Sequence, residues 1–117
     1  MSASSLRLGI VVLSALTGLI HLVVLNLRLL SQGYGFDVPF TLNGLGFLAF
    51  AVATVWLPPF LTGRETLVRW AFIGFTVVTI IAWAVLGDMS DILGWITKAI
   101  EIALIALLFW QGRRAAV

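Results

Sequence analysis

Four long apolar stretches, separated by short polar connections, make up almost the whole chain. They run over residues 8–30, 40–61, 67–86 and 92–110. Each has about 20 residues, the length that an α-helix needs to cross the hydrocarbon core of a bilayer. The stretches lack the strict alternation of a membrane β-barrel, so we predict an all-α chain with four transmembrane helices. The short connections between them predict an antiparallel bundle.

The connections contain residues that end one helix and start the next. Pro58 and the proline after it disrupt the far end of the second stretch, because the second proline disfavours helix at the first. Thr62 and Glu65 have the spacing of a capping box, so we expect the third helix to start there. Asp88 or Ser90 is expected to cap the fourth helix.

Composition supports a membrane chain and excludes several other classes. Of the 117 residues, 62% are hydrophobic and 10% are charged, whereas soluble domains carry about 25% charged residues. Four spans leave no length for a soluble domain, so residues 1–117 are expected to form a single transmembrane domain. The basic residues are scattered, which argues against nucleic-acid binding. With no cysteine and one histidine, thiol chemistry and a multi-histidine metal site are excluded.

Basic and aromatic residues predict the orientation of the helices. Most of the basic residues fall on the side shared by both termini, namely Arg7, Arg64, Arg69, Arg113 and Arg114. The positive-inside rule therefore predicts cytoplasmic termini, in a multi-pass protein of the cell membrane. The tryptophans fall near the predicted span ends, as an aromatic belt requires.

The polar residues within the spans collect in the outer half of the predicted bundle. Glu101 lies nine residues from the outer end of its span and His21 lies nine residues from the outer end of its own. Both are therefore expected about 13 Å below the outer boundary. A charge within a membrane helix costs several kcal/mol unless it is paired or neutralised. We predict a buried polar cluster that consists of His21, Arg28, Asn43, Lys98 and Glu101.

Glu101 has alternative partners, and they predict different chemistry. If Glu101 pairs with Lys98 at i,i+3 and with Arg28 across the bundle, it stays ionised in a locked structural network. If it pairs chiefly with His21, the two side chains can exchange a proton. Lys98 can also extend outward to water, which leaves Glu101 dependent on Arg28 or His21.

One face of the first span is predicted to pack against protein, because small and polar residues recur on it at steps of three and four. This face consists of Ser14, Thr17, Gly18, His21, Leu25 and Arg28. Asn26 lies off this face and is expected to reach the headgroups. Small-residue pairs at Ser14/Gly18, Ala49/Ala53 and Ala99/Ala103 are expected to pack the bundle itself, although one can face a partner.

Asp37, Asp88 and Asp91 form an acidic outer rim in this arrangement. They are either solvated loop carboxylates that cap helices or a mouth that attracts cations. His21 is either a hydrogen-bonded interior histidine, a proton-handling or quinone-contacting residue, or a haem ligand. Haem ligation needs a second axial residue, from a methionine in the 88–91 connection or from another subunit. No cofactor and no metal are predicted, with haem and quinone left as alternatives.

Most of the chain resembles an uncharacterised group of small four-span membrane proteins of bacteria and archaea. The resemblance rests on LTGLIHL (Leu16–Leu22), LNGLGFLAF (Leu42–Phe50), LVRWAFIGFTVVTIIAWAVLG (Leu67–Gly87) and LGWITKAIEIALI (Leu93–Ile105). It implies a four-helix fold and carries over no activity, cofactor or catalytic residue.

Three functional hypotheses follow, and none is enzymatic, because the chain lacks a phosphate loop, a nucleophile elbow, a zinc signature and a dinucleotide fingerprint. The first is an accessory subunit of a larger membrane complex, such as an electron-transfer one, with other membrane subunits or further copies of itself as partners in the lipid bilayer. The second is a small proton or cation carrier or channel that uses Glu101 and His21. The third is a module that binds a quinone, lipid or haem in the outer half.

Overall fold

The computed structural model describes residues 2–35 and 37–115, and long helices account for most of them. The first span, Ala3–Ser31, is α-helical over Ala3–Leu19 and Leu25–Ser31, with a π-helical turn at Ile20–Val24 between them. The other three spans are Val38–Val55, Glu65–Leu86 and Ile92–Ala115. All four are long and apolar enough to cross a membrane, and the described residues contain no strand. The predicted all-α fold with four spans is confirmed.

The second span is shorter than predicted. It starts at Val38, where the carboxylate Oδ1 of Asp37 accepts a hydrogen bond from the Phe40 amide at 2.8 Å. It ends at Val55 rather than at residue 61, because the two prolines that follow cannot continue the helix. Pro59–Leu61 instead form a short 3-10 turn.

The expected capping box at the start of the third span is absent. The helix begins at Glu65 itself, and the side chain of Arg64, the residue before it, makes no capping hydrogen bond. The Glu65 carboxylate accepts from the amide of Gly63 at 3.2 Å, not from that of Thr62. Gly63 has a φ of 84°, which an L side chain rarely adopts, so the chain turns at the glycine before the helix begins.

The connection before the fourth span is folded by its own carboxylates. Asp88 Oδ1 accepts from the amide of Ser90 at 2.9 Å and from its hydroxyl at 2.6 Å. These hydrogen bonds hold the pKa of the exposed Asp88 below its ordinary value. The hydrogen bond from the Ser90 hydroxyl lowers this pKa more than the one from the amide. Asp91 Oδ1 accepts from the Leu93 amide at 3.1 Å. The fourth span is therefore capped by Asp91, and the prediction of Asp88 or Ser90 was wrong.

The π-helical turn changes which face of the first span points inward. In an α-helix the buried face that contains His21 would continue at Leu25 and Arg28. A π turn bonds from i to i+5 and so takes up one more residue. The next buried position falls five residues after His21, at Asn26, which is 1% exposed, while Arg28 is exposed. The predictions that Asn26 reaches the headgroups and that Arg28 is buried are both wrong for this reason.

Asn26 ties the first span to the start of the second. Its Nδ2 donates to the Leu22 carbonyl at 2.8 Å and to the Thr41 hydroxyl at 3.0 Å. Its Oδ1 accepts from the Asp37 amide at 2.8 Å. One buried side chain thus satisfies polar groups on both sides of the connection.

The first span packs against the second and the fourth. Ser14 donates to the Phe47 carbonyl across the interface at 2.7 Å. At the crossing point, a Cβ added to Gly44 would lie 2.7 Å from the Gly18 carbonyl oxygen, so only glycine permits this approach. The small-residue pair Ser14/Gly18 therefore packs the bundle, as predicted.

A hydrophobic core lies toward the end of the bundle that carries both termini. We call this the termini end, and we call the other, with connections 32–37 and 87–91, the distal end. The core draws on all four spans and consists of Ile10, Phe47, Phe72, Ile73, Leu104 and Leu108. Ring contacts join the second and third spans, with Phe50 stacked on Phe72 at 4.6 Å between ring centroids. Most of the buried polar side chains lie nearer the distal end, among them His21, Asn26, Thr79, Lys98 and Glu101.

Candidate functional site: a polar cavity at the distal end

A cavity of about 440 Å³ lies at the distal end, with residues of all four spans in its wall. Its polar wall contains His21, Asn43, Thr79, Thr97 and Lys98. Its apolar wall includes Leu25, Phe40, Trp83 and Leu86. The three carboxylates predicted to form an acidic rim, Asp37, Asp88 and Asp91, also line it. The cavity therefore brings most of the candidate residues around one space.

Glu101 lies behind the wall of this cavity and is 0% exposed. Its Oε1 accepts from the Lys98 ammonium at 2.6 Å, one turn earlier on the same face of the fourth span. Its Oε2 accepts from the Thr17 hydroxyl of the first span at 2.6 Å. Both carboxylate oxygens are thus satisfied, and Thr17 takes the place that the sequence assigned to Arg28.

Arg28 does not join the buried cluster. Its guanidinium pairs with Asp91 at 2.6 Å, and the two side chains are 40% and 26% exposed. The physical reason is the π turn, which rotates Arg28 away from Glu101. The predicted network around Glu101 therefore includes Lys98 but not Arg28. The alternative in which Lys98 extends outward to water is also wrong, because its side chain is buried.

His21 is held by the residue one turn before it. Its Nδ1 lies 2.8 Å from the Thr17 carbonyl oxygen and 3.4 Å from the Thr17 hydroxyl. A carbonyl oxygen can only accept, so Nδ1 carries a proton and donates it. The ring contacts Phe40 edge-to-face and Phe47 at a tilt, with both centroids 6.2 Å away. His21 and Glu101 are joined through Thr17 rather than directly, and His21 lines the cavity.

Asn43 contains a buried hydrogen-bond acceptor that has no donor among the described residues. Its Nδ2 donates to the Thr79 hydroxyl at 2.6 Å, and that hydroxyl donates to the Phe75 carbonyl at 3.0 Å. Its Oδ1 is buried and accepts no hydrogen bond from the described residues. A buried acceptor left this way costs about 1–3 kcal/mol, and such atoms are rare in native proteins. Asn43 lines the cavity, but its Oδ1 exposes less than 1 Å² of surface, so a donor there reaches this oxygen only when the amide turns toward the cavity.

Trp83 forms a fixed aromatic wall beside Lys98. Its ring lies against Gly94, where an added Cβ would be 2.6 Å from the indole nitrogen. It packs edge-to-face on Trp95, with 4.8 Å between centroids. The Lys98 ammonium lies 6.0 Å from the Trp83 ring centroid, at the limit of a cation–π contact. Glycine at 94 is thus what allows the ring to approach the fourth span.

The acidic rim residues share the cavity but have structural partners. Asp37 and Asp91 cap helices, Asp88 closes a turn, and Asp91 also pairs with Arg28. Within residues 2–35 and 37–115, no group of three or more His, Cys, Asp or Glu residues is arranged to hold a metal ion.

Sequence reasoning missed two threonines, Thr17 and Thr97, and two aromatic residues, Phe40 and Trp83, of this site. Thr17 was placed on the inward face but not as the link between Glu101 and His21, although its position four residues before His21 was a usable signal. Thr97, which is buried, and Trp83 were not singled out.

Comparisons of the chain with protein-family models, with curated proteins and with solved structures found no match. The resemblance to small four-span membrane proteins therefore stays a prediction.

Proposed function

We propose that this multi-pass membrane protein binds a small amphipathic molecule in its distal cavity, with a quinone-class ring as the polar head. The observation that carries the proposal is Asn43 Oδ1, a buried acceptor that shares an otherwise largely apolar cavity with Lys98 and His21. Apolar walls with a few convergent polar groups are typical of ligand sites in proteins.

The polar groups favour the reduced, hydroxylated form of such a ring. The Lys98 ammonium has three N–H donors, and one of them forms a hydrogen bond to Glu101. Another can therefore donate a hydrogen bond to a ligand oxygen. Asn43 Oδ1 can only accept, so it needs a ligand that donates. A quinol has hydroxyl groups that do both, whereas an oxidised quinone offers acceptors alone and leaves Asn43 unsatisfied. Phe40 and Trp83 supply apolar surface for the ring.

The packing supports binding over conduction. A buried core that includes Ile10, Phe47 and Leu104 lies between the distal cavity and the termini end. Both oxygens of Glu101 are engaged within the protein, which favours a fixed role over the proton carrier that uses Glu101 and His21.

Calorimetric titration in mild detergent tests the proposal, with a short-chain benzoquinol and the matching benzoquinone as probes. The wild type is expected to bind the quinol about tenfold or more tightly than the quinone, because only the quinol satisfies Asn43. Asn43→Leu has a similar volume and no acceptor, so it is expected to lose this preference. Thr54→Val changes a hydroxyl near the termini end, outside the cavity, and is the control. Equal binding of both probes by wild type and Asn43→Leu would refute the proposal.

An accessory-subunit role in a larger membrane complex is the second candidate. Ala99 and Ala103 were expected to pack the bundle, but both are exposed on the fourth span. Small residues on a lipid-facing surface allow another helix to approach closely. Native mass analysis of the protein in mild detergent is expected to show it with other membrane subunits or with further copies of itself. A monomer that carries nothing else would contradict this role.

The proposed orientation places both termini in the cytoplasm and the cavity on the outer face of the cell membrane. The chain has no cysteine, so single cysteines can be introduced without a background. Ser90→Cys is expected to react with a membrane-impermeant reagent in intact cells, and Ser2→Cys only after lysis. The opposite pattern would reverse the orientation.

A further inference from the structure

The termini end of the bundle contains a second cavity, of about 320 Å³, which two arginines line together. Arg7 comes from the first span and Arg69 from the third, and Gln111 of the fourth span lies with them. Glu65 is the single carboxylate among the described residues of this wall, and its Oε1 accepts from the Gly63 amide. Positive charge is therefore in excess, which favours an anion.

Arg69 is positioned by the fourth span. Its Nε donates to Gln111 Oε1 at 3.4 Å. Its side chain lies over Gly112, where an added Cβ would be 3.2 Å from Arg69 Cδ. Within residues 2–35 and 37–115, neither Arg7 nor Arg69 forms an ion pair with a carboxylate. Their remaining guanidinium donors suit the oxygens of a phosphate group, which arginine binds through two parallel hydrogen bonds.

An apolar groove of about 430 Å³ adjoins this basic cavity, between the second and third spans. Ala53 and Val68 line both spaces, so the two are neighbours. The groove wall is wholly apolar among the described residues and includes Trp56 and Ala71. Trp56 is exposed at the end of its span, where tryptophans mark the level of the lipid headgroups. A basic cavity at headgroup level thus adjoins an apolar groove along the helices.

We propose that the basic cavity and the apolar groove form one site for an anionic phospholipid. The phosphate lies between Arg7 and Arg69, and one acyl chain lies in the groove between the second and third spans. Basic pockets between membrane helices are known to bind anionic headgroups, and the adjoining groove selects a lipid over a free phosphate ion. This site is separate from the distal cavity and does not depend on the quinol proposal.

Native mass spectrometry of the protein released from nanodiscs tests the site. The nanodiscs contain phosphatidylcholine with a minor fraction of phosphatidylglycerol, and the retained phosphatidylglycerol is counted. Arg7→Gln is expected to lower retention roughly fivefold, and Arg7→Gln with Arg69→Gln roughly 30-fold. Ala71→Trp fills the groove and is expected to lower retention with both arginines intact. Arg113→Gln removes the same charge outside both cavities and is expected to change retention little.

Two results would overturn the proposal. An equal loss in Arg113→Gln and Arg7→Gln would mean that the lipid follows diffuse surface charge. Displacement of phosphatidylglycerol by millimolar inorganic phosphate, with no effect of Ala71→Trp, would mean a site for free phosphate. Arg7 is exposed and has no ion-pair partner among the described residues, so Arg7→Gln is expected to fold. The test therefore stays decisive even if Arg69→Gln fails to fold.

Discussion

Replacing Lys98 by methionine or Glu101 by glutamine is expected to destabilise the bundle more than replacing both together. The ammonium and the carboxylate lie 2.6 Å apart, and their side chains are only 5% and 0% exposed. Each single substitution leaves the other charge buried without its partner. The double substitution leaves no buried charge, so its cost comes only from an unsatisfied hydrogen-bond donor.

The magnitudes follow from this burial. Losing one member of a buried pair costs about 3–5 kcal/mol of unfolding free energy. Glu101→Gln keeps an oxygen that accepts from the Thr17 hydroxyl. The loss of unfolding free energy in this variant therefore measures the missing charge and not that hydrogen bond. In the double variant the glutamine amide faces methionine with a donor unsatisfied, which costs about 1–3 kcal/mol. The coupling between the two positions is therefore expected to reach at least about 3 kcal/mol.

The Arg28–Asp91 pair is a matched control. Its N–O distance is also 2.6 Å, but its side chains are 40% and 26% exposed. Asp91→Asn keeps the oxygen that caps the fourth span, and Arg28→Met removes the charge. An exposed pair contributes about 0–1 kcal/mol, so this cycle is expected to show little coupling.

Equilibrium unfolding in mixed detergent micelles, with the fraction of sodium dodecyl sulfate as the variable, measures all six variants and the wild type. Single losses at Lys98 and Glu101 below about 1 kcal/mol would mean that water or lipid headgroups reach the pair. A double variant less stable than either single variant would refute the reasoning that the buried charges depend on each other.

Three further substitutions test the fold around the site. Gly44→Ala places a Cβ against the backbone of the first span and is expected to lower the unfolding free energy by about 1–3 kcal/mol. Gly74→Ala places its Cβ in open space, so it is expected not to destabilise the protein. Thermal unfolding in detergent compares the two variants. Asn26→Leu leaves the half-buried Asp37 amide and the Leu22 carbonyl without their side-chain partner and is expected to cost about 1–3 kcal/mol in the same assay. Ser90→Ala is expected to raise the Asp88 pKa, seen as a higher midpoint in carboxyl NMR. Because this pKa is lowered in the folded protein, the hydrogen bonds stabilise at neutral pH and are lost as pH falls through it.

Hydropathy was enough to predict the four spans, because crossing a bilayer sets both their length and their composition. It also placed His21 and Glu101 at one level, and Thr17 joins these residues through two hydrogen bonds. The periodicity argument failed at residue 22 and beyond, because it assumes 3.6 residues per turn throughout. The π turn at Ile20–Val24 exchanges the exposures expected of Asn26 and Arg28.

A binding cavity in the outer half was one of the hypotheses from the sequence, but the arrangement of its wall lay beyond what sequence patterns can predict. The open acceptor at Asn43 depends on which way its amide turns toward Thr79, and this follows from the side-chain contacts between the second and third spans. The basic cavity at the termini end depends likewise on Gly112, which gives Arg69 room to lie across the fourth span. Both features arise from tertiary packing rather than from local preference.

The most direct test of the distal site is to identify what the protein retains when it is purified from its own membrane in mild detergent. Organic extraction followed by mass spectrometry is expected to find a lipid with a hydroxylated ring, in equimolar amount with the chain. The same extract from Asn43→Leu should lack it, and that from Thr54→Val should contain it. An extract of the wild type without any ring-bearing lipid, or one that Asn43→Leu leaves unchanged, would contradict the assignment of the cavity.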